Sequence, residues 1–378
     1  MNEIVVVFGN DHTNTVGVIQ SLGLAGYRSV ALIYGDKTGY VACSKFVDKV
    51  ITSHNAQACI EALLSHSIVS PSKIPIIPCS DLAALTLENN SSNLRDNFVF
   101  QYAQIPFRQI FNKEIQVDLA KKSNFNVPAS WVIEDIDKFP ENLTFPCLIK
   151  PLISCEGAKC DIRVCSSFEE LKENLKSLKF TKKIILQEYI DRDYEISILG
   201  CSLSNGDCII PAVENKLTIY PKYVGMECFA NIQPLQDKNI KDSIINLIKE
   251  IGYVGLFSVE MMHSKKDNKF YFTEINLRND GAESFITKYG ANLPLNHVED
   301  LLHKPITHAS EFNPGFYIWD MHHLKSFVYG DISFITWIKE IWKSKGFLMY
   351  YKEDKKPFFR QYIYMLGRLL RIIKQKQY

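Results

Sequence analysis

The stretch NKFYFTEINLRND, residues 268–280, carries residue types suited to holding charge. Side chains alternate along a strand at period 2, so Phe270, Phe272, Glu274 and Asn276 are expected on one face, with Arg278 following. That face turns from aromatic to a carboxylate and an amide. The preceding run VGLFSVEMMHSKKDN reads as the other arm of a hairpin turning at SKKDN. If His263 pairs near Phe270, the register sets Glu260 opposite Thr273 and Glu274. Two partly buried carboxylates facing one another repel, and burial alone forces a proton onto one of them. A divalent cation removes the conflict, and carboxylates with an amide oxygen are the hard ligands that Mg²⁺ prefers, commonly completed by phosphate. The plain alternative is a solvated hairpin end.

Two further stretches bear chemistry. In FPCLIKPLISCEGAKC, Lys150 closes an apolar strand, so a rigid element delivers its ammonium, and the loop after it contains Gly157 among small residues whose backbone N–H groups suit a phosphate. This is not the G-x-x-x-x-G-K-[ST] loop. In ILQEYIDRDYEISILG, Gln187 and Glu188 end another apolar strand and Glu195 enters the next. A connecting segment with free backbone amides and an acid suits an adenine edge and ribose hydroxyls.

Taken in order, Lys113, Lys150-Pro151, Gln187-Glu188-Tyr189-Ile190, Glu195, Glu260 and Glu274-x-Asn276-x-Arg278 resemble the ATP-grasp superfamily, which includes D-alanine–D-alanine ligase, biotin carboxylase, D-aspartate ligase and the carbamoyl phosphate synthetase large chain. The resemblance covers roughly residues 1–305, because the family sets a Rossmann-like domain before its ATP-grasp unit. It implies that Lys113 and Lys150 contact the ATP phosphates. It further implies that Gln187, Glu188, Tyr189 and Ile190 form the adenine hinge and that Glu195 is the ribose-binding acid. Glu260, Glu274 and Asn276 correspond to ligands of a pair of Mg²⁺ ions, with Mn²⁺ an acceptable substitute, and Arg278 to the cation beside the transferred phosphoryl group. The implied activity is ATP-dependent carboxylate–amine ligation through an acylphosphate. EINLRNDGAESFITKYGANLPL is similar to members that join amino acids to cell-envelope precursors. A dipeptide or small-metabolite ligase and an inactive nucleotide-binding regulator are the alternatives. The loop LISCEGAKC is poorer in glycine than is usual for the family.

These residues need a scaffold, and the pattern of the chain supplies one. EIVVVFG is a continuous apolar run of the kind found in a strand covered on both faces, followed by a helix and the strand RSVALIYG. Further strand–helix pairs, KFVDKVIT with NAQACIEALLSHS and KIPIIPCSDLAALTLENN, predict an α/β doubly wound parallel sheet over residues 1–107, the Rossmann-like unit. The loop GNDHTNTVG lacks G-x-G-x-x-G, which argues against dinucleotide binding and leaves a small-molecule site at the strand ends. Over 108–305 a charged helix ending near Asn126, strands and interspersed helices predict an α+β unit, the ATP-grasp domain.

The remainder, 306–378, reads as an extension. Ten Lys or Arg follow from Lys343 onward against Glu353 and Asp354. Phe359, Tyr362, Ile363, Leu366, Leu369, Leu370 and Ile373 fall at helical spacing with basic residues off the stripe. This basic amphipathic helix suits an anionic membrane surface, a second subunit of a homo-oligomer, or the protein's own core.

Composition narrows the rest. At 378 residues, 46% hydrophobic and 22% charged, the chain is an ordinary globular protein, and its net charge of +1 gives no argument for nucleic acid. The ten cysteines include no C-x-x-C, and the five-residue spacing of Cys155, Cys160 and Cys165 fits no common zinc site. Reduced thiols in the cytoplasm are expected. MNEIVVVFGNDH has no basic leader, no window approaches the roughly 20 apolar residues of a membrane span, and His322-His323 are adjacent and cannot share a face. The expected partners are a small-molecule carboxylate and an amine, met in the cytoplasm or at the inner face of the membrane.

Overall fold

The computed structural model describes residues 3–35, 39–66, 72–133, 138–153, 162–178, 183–221, 225–307 and 312–375, with side chains described as far as Gly367. The first unit alternates β1 (Ile4–Asn10), α1 (Thr13–Leu24), β2 (Arg28–Tyr34), β3 (Val47–Ser53), α2 (Ala56–Ser65), β4 (Ile74–Pro78), α3 (Asp81–Asn89), α4 (Ser91–Leu94), β5 (Phe98–Phe100) and α5 (Phe107–Ile110). Its strands are parallel in the order β3-β2-β1-β4-β5. The unbroken apolar run of β1 has a simple cause. Val5 and Val7 face one core, Val6 and Phe8 the other, and both faces are sealed. The strand order reverses between β1 and β4. Ligands of open α/β sheets sit at such a point, and here α1 and α3 begin there, capped by the side chains of His12 and Ser80.

The second unit begins with α6 (Lys113–Lys122). The helix stops earlier than the sequence pattern suggested. Ser123 caps it, and Asn124 adopts φ 68°, a left-handed conformation in which asparagine commonly ends helices. Asn126 instead forms a parallel bridge with Tyr271. A four-stranded antiparallel sheet follows, ordered β6-β9-β7-β8, from β6 (Ser130–Ile133), β7 (Cys147–Pro151), β8 (Arg163–Cys165) and β9 (Ile184–Glu188), with α7 (Phe168–Lys176) on one side.

The large sheet has seven strands and contains β10 (Arg192–Ser202), β11 (Cys208–Tyr220), β12 (Met226–Pro234), β13 (Gly255–Ser264) and β14 (Phe270–Asn276). Between its strands run α8 (Lys238–Ile251) and, after β14, α9 (Glu283–Lys288) and α10 (Leu293–Leu301). The C-terminal segment is continuous with this sheet, adding β15 (Gly315–Ile318), α11 (Asp320–Val328), α12 (Phe334–Lys343), β16 (Ser344–Phe347) and α13 (Lys356–Gln375). The final order is β14-β13-β10-β11-β12-β15-β16. One hydrophobic core joins Val5 and Val7 of β1 to Leu199, Ala212 and Tyr317 of the large sheet, so the two units share an interior.

Helix α13 has two characters. Gln361 is 1% exposed, Phe358 packs on Phe347 and Tyr350, and Tyr364 stands against Tyr40. The opposite face leaves Phe359, Ile363 and Leu366 exposed. Leu369, Leu370 and Ile373 lie beyond the described side chains. Cys43, Cys59, Cys79, Cys147, Cys165, Cys201, Cys208 and Cys228 are free thiols, mostly buried, whereas Cys155 and Cys160 lie outside the described residues.

Candidate functional site

The hairpin of β13 and β14 places Glu260 directly opposite Glu274. The register His263↔Phe270, continued regularly, would pair Glu260 with Thr273; an irregularity between Glu260 and Met261 shifts the pairing by one. The extra residue also reverses the alternation of β14, as a bulge does. Phe272 therefore lies in the same core as Ile275 and Leu277, and the expectation that Phe270 and Phe272 share a face with Glu274 is corrected. Glu274 and Arg278 line a cleft on the other face, and the adjacent pair Ser258↔Asn276 joins through Asn276 Nδ2 donating to Ser258 Oγ at 3.4 Å.

The two carboxylates differ in proton affinity. Burial pushes Glu260 up to about 7, with Lys216 opposing and Glu274 adding to the rise. Burial also acts on Glu274, but Lys113, Lys150 and Arg278 outweigh it and hold the group below the ordinary carboxylate range. Each acid has a cation: Lys216 Nζ stands 3.3 Å from Glu260 Oε2, and Lys113 Nζ 3.7 Å from Glu274 Oε2. Arg278 donates through Nη2 to Asn276 Oδ1 at 3.1 Å and through Nε to Asp81 Oδ1 at 3.0 Å. Its Nη1 lies 3.8 Å from Asp280, and these acids raise its proton affinity despite burial.

Lys150, near the end of β7, reaches Gln187 Oε1 at 2.7 Å. Burial, then the neighbouring Lys113, lowers its proton affinity to about 8. Gln187 is 4% exposed and also donates to Ser130 Oγ at 3.0 Å. Its side chain is held inside the small sheet between Lys150 and Ser130. Glu188 accepts from the Ala129 N–H at 3.3 Å and donates its own N–H to Ala129 O at 2.8 Å. Ile190 is buried, Tyr189 faces a cleft, and Glu195 is held by Arg192 at 2.7 Å.

Two clefts meet at Glu195. One, of about 580 Å³, lies between the small sheet (Leu148, Lys150, Val164) and the large sheet (Met226, Met262, Thr273), with Tyr189 at its edge and His322 and Lys325 of α11 closing it. The other, of about 360 Å³, runs from Glu260, Glu274, Lys216 and Arg278 to the switch point of the parallel sheet, where His12, Ser80 and Asp81 lie. Both sizes fall within the range of small-molecule sites. Burial, then Arg278, holds the His12 ring below its usual proton affinity.

The sequence reading missed Lys216, Glu227, Asp280, Asp81 and His12. Lys216 had a signal of the kind used for Glu274. In PAVENKLTIY, Glu214 and Lys216 alternate along an otherwise apolar strand, and they are 0% and 8% exposed. Glu214 accepts from Tyr317 Oη, and burial followed by Glu227 raises its proton affinity well above the ordinary value. His12 and Asp81 come from the first unit and Glu227 from β12, whereas Asp280 lies two residues beyond Arg278. Of the His322-His323 pair, His323 is buried against Glu340 at 2.7 Å while His322 faces the larger cleft, so the two diverge as expected.

Among the described residues no cluster of three or more His, Cys, Asp or Glu forms a ready metal cage. The donor set is two carboxylates and the Asn276 amide oxygen. Such a set is incomplete alone and fits an ion whose shell is finished by ligand oxygens.

A family model described as the ATP-grasp domain matches residues 118–285. Formate-dependent phosphoribosylglycinamide formyltransferase of Bacillus velezensis is 28% identical over 191 residues, 48% of this chain and 48% of that protein. D-alanine–D-alanine ligase B of Clostridium tetani is 29% identical over 159 residues, covering 38% of this chain and 42% of the ligase. The chain thus spans about half the length, or less, of these curated relatives. Among solved structures, N5-carboxyaminoimidazole synthetase of Staphylococcus aureus complexed with ADP superposes with a TM-score of 0.65 at 14% identity, over 83% of this chain and 81% of that one. The matched segment holds the β13–β14 hairpin and Glu195, where the two clefts meet, and residues 118–285 of the chain are thus an ATP-grasp domain.

Proposed function

We propose that the protein is an ATP-dependent carboxylate–amine ligase that forms an amide through an acylphosphate. The observation that carries this reading is the convergence of Lys113, Lys150, Glu260, Glu274, Asn276 and Arg278 around two adjoining clefts. ATP is the substrate of the larger cleft. Its adenine lies near Glu188, Tyr189 and Ile190, its ribose at Glu195, and its phosphates reach Lys150 and Lys113. Gln187 orients Lys150. Glu260, Glu274 and Asn276 hold Mg²⁺, which when bound neutralises phosphate charge. Arg278, locked by Asp81 and Asn276, faces the transferred phosphoryl group.

The substrate carboxylate occupies the smaller cleft, between the phosphates and the helix starts at His12 and Ser80. Its oxygen attacks the γ-phosphorus, the bond to the β-γ bridging oxygen breaks, and ADP leaves. The amine then attacks the acyl carbon and phosphate departs. The protein contributes position and fixed charge and needs no nucleophile of its own.

For the acceptor we propose a cell-envelope precursor, which the likeness to D-alanine–D-alanine ligase B supports, met in the cytoplasm or at the inner face of the membrane. The likeness to formate-dependent formyltransferases favours instead a ligase of small metabolites. Phosphate release from ATP with Mg²⁺, measured across a panel of amino acids and amines, tests the reading. Stimulation by an amino acid only together with an envelope precursor supports the envelope assignment, stimulation by an amino acid pair, formate or another small carboxylate supports the second, and no stimulation by any pair overturns ligation.

A further inference from the structure

Helix α12 turns three large apolar residues outward. Phe334, Ile335 and Trp342 are 59%, 66% and 87% exposed. Its inward side holds Glu340, 8% exposed, which accepts from Thr218 Oγ1 at 2.7 Å and pairs with His323 Nε2 at 2.7 Å. Trp337 stacks against Phe327 at 5.1 Å. Trp337, Ile338 and Ile341 are half-buried, so the helix has an inward apolar side as a surface helix ordinarily does, and Phe334, Ile335 and Trp342 are apolar residues beyond that requirement. The patch continues onto the end of α11, where Val328 and Tyr329 are 64% and 70% exposed. Single exposed apolar residues need no account, but a contiguous run of large ones marks a contact surface.

The charge beside the patch selects its partner. Lys339 on α12 is exposed beside the apolar stripe, Lys343 is exposed with its Nζ 5.7 Å from the centre of the Phe316 ring, and Lys345 donates to Pro314 O at 2.7 Å. Of the acids in the same segment, Asp320 and Glu340 are buried, which leaves Asp331 exposed in the turn between the helices. Aromatic and aliphatic side chains rimmed by lysine are the composition of a helix that lies in the headgroup region of an anionic bilayer. A second copy of the chain fits less well. A two-fold contact sets the same patch against itself and brings like-charged rims together, and a stable protein interface needs about 800 Å² per partner, more than a single short helix offers. Among the described residues no helix is long and apolar enough to cross a membrane, so the contact is with its surface.

The patch adjoins the larger cleft. Tyr329 stacks on Tyr220 at 5.8 Å, and Tyr220 and Lys325 line that cleft. We infer that the α11–α12 surface docks on anionic lipid, with Ile335 and Trp342 entering the headgroup layer and the mouth of the cleft held at the bilayer. This surface is distinct from the outward face of α13, and the inference does not rest on the ligase reading.

The test uses the full chain with unilamellar vesicles of phosphatidylcholine, with and without phosphatidylglycerol. Binding is read by co-sedimentation and by tryptophan emission. The expected result is binding to the anionic vesicles with a blue shift, loss of that binding at high salt as the Debye length falls from about 10 Å at 0.1 M to about 3 Å at 1 M, and at least a tenfold loss in an Ile335→Glu/Trp342→Glu variant. These positions are exposed, so the variant should keep the wild-type circular dichroism and melting temperature. Equal binding to neutral and anionic vesicles overturns the inference, as does wild-type binding by the double variant. A concentration-dependent dimer that the same substitutions dissolve, without vesicle binding, overturns it in favour of self-association. Nucleotide turnover on soluble substrates is separate, so its failure would speak only against the ligase.

Discussion

Replacing Lys150 with methionine should raise the stability of the nucleotide-free protein while weakening ATP binding. The ammonium sits at the end of β7 with Gln187 Oε1 at 2.7 Å as its neutral partner, and burial with the nearby Lys113 lowers its proton affinity from 10.5 to about 8. That difference of roughly 2.5 units, at about 1.4 kcal/mol each, means that folding at neutral pH works against about 3 kcal/mol for this charge. The sign follows from linkage. With the folded value depressed, the unfolded chain binds more protons between about 8 and 10.5, so this penalty is complete at pH 7 and fades as pH rises through that window. Methionine fills similar volume without the charge and should return about 1–3 kcal/mol, part of the gain being offset by Gln187 losing its partner. The triphosphate supplies a full counter-charge where Gln187 offers only a neutral amide oxygen, so the variant should bind ATP roughly a hundredfold more weakly, about 2.7 kcal/mol. Urea unfolding at pH 7 and pH 9.5, with calorimetric titration of ATP in Mg²⁺, reads both effects. A variant less stable than wild type at pH 7, or one that binds ATP unchanged, would refute the reasoning and leave Lys150 an ordinary strand-end lysine.

Other substitutions separate the parts of the site. Glu274→Gln should abolish Mg²⁺-dependent turnover with the fold intact by circular dichroism; full activity at ordinary Mg²⁺ would remove the hairpin acids from the account. Lys216→Met leaves Glu260, Glu227 and the neighbouring Glu214 without their buried cation, and should destabilise the protein by about 3–5 kcal/mol in urea unfolding. A loss below about 1 kcal/mol would mean that the acids are already neutral. Tyr317→Phe removes the hydroxyl that donates to the fully buried Glu214, an expected loss of about 1–3 kcal/mol by the same assay, with no loss expected if solvent reaches that carboxyl. Phe358→Ala should lower the melting temperature because this ring packs on Phe347 and Tyr350; an unchanged value would mean that α13 is held elsewhere.

The features legible in the sequence were those with a local period. Continuous apolar runs announced β1 and β2, whose two faces are both sealed, and the spacing of the hairpin brought Glu260 and Glu274 together to within one residue. That last residue was not legible. The shift between Glu260 and Met261 is set by packing of Phe272 on one side and Ile275 with Leu277 after it, which no alternation rule anticipates. The partners of Gln187 were hidden for a related reason, since Lys150 and Ser130 lie across neighbouring strands and engage both ends of the amide. Asp81 and His12 escaped because they are ordinary helix-start residues until the fold carries them nearly 200 residues or more along the chain to Arg278. The outward apolar residues of α12 were likewise invisible: apolar periodicity identifies a stripe but not the side on which water lies.

The central claim is that a substrate carboxylate takes the γ-phosphoryl group of ATP in the cleft beside Glu260 and Glu274. It is tested most directly by supplying the stimulating carboxylate labelled with ¹⁸O, together with its amine, ATP and Mg²⁺, and measuring the label in the products by mass spectrometry. The account predicts one ¹⁸O atom in each inorganic phosphate released, ADP as the nucleotide product, and neither in Glu274→Gln. Label in AMP, or unlabelled phosphate released alongside an amide product, would contradict it.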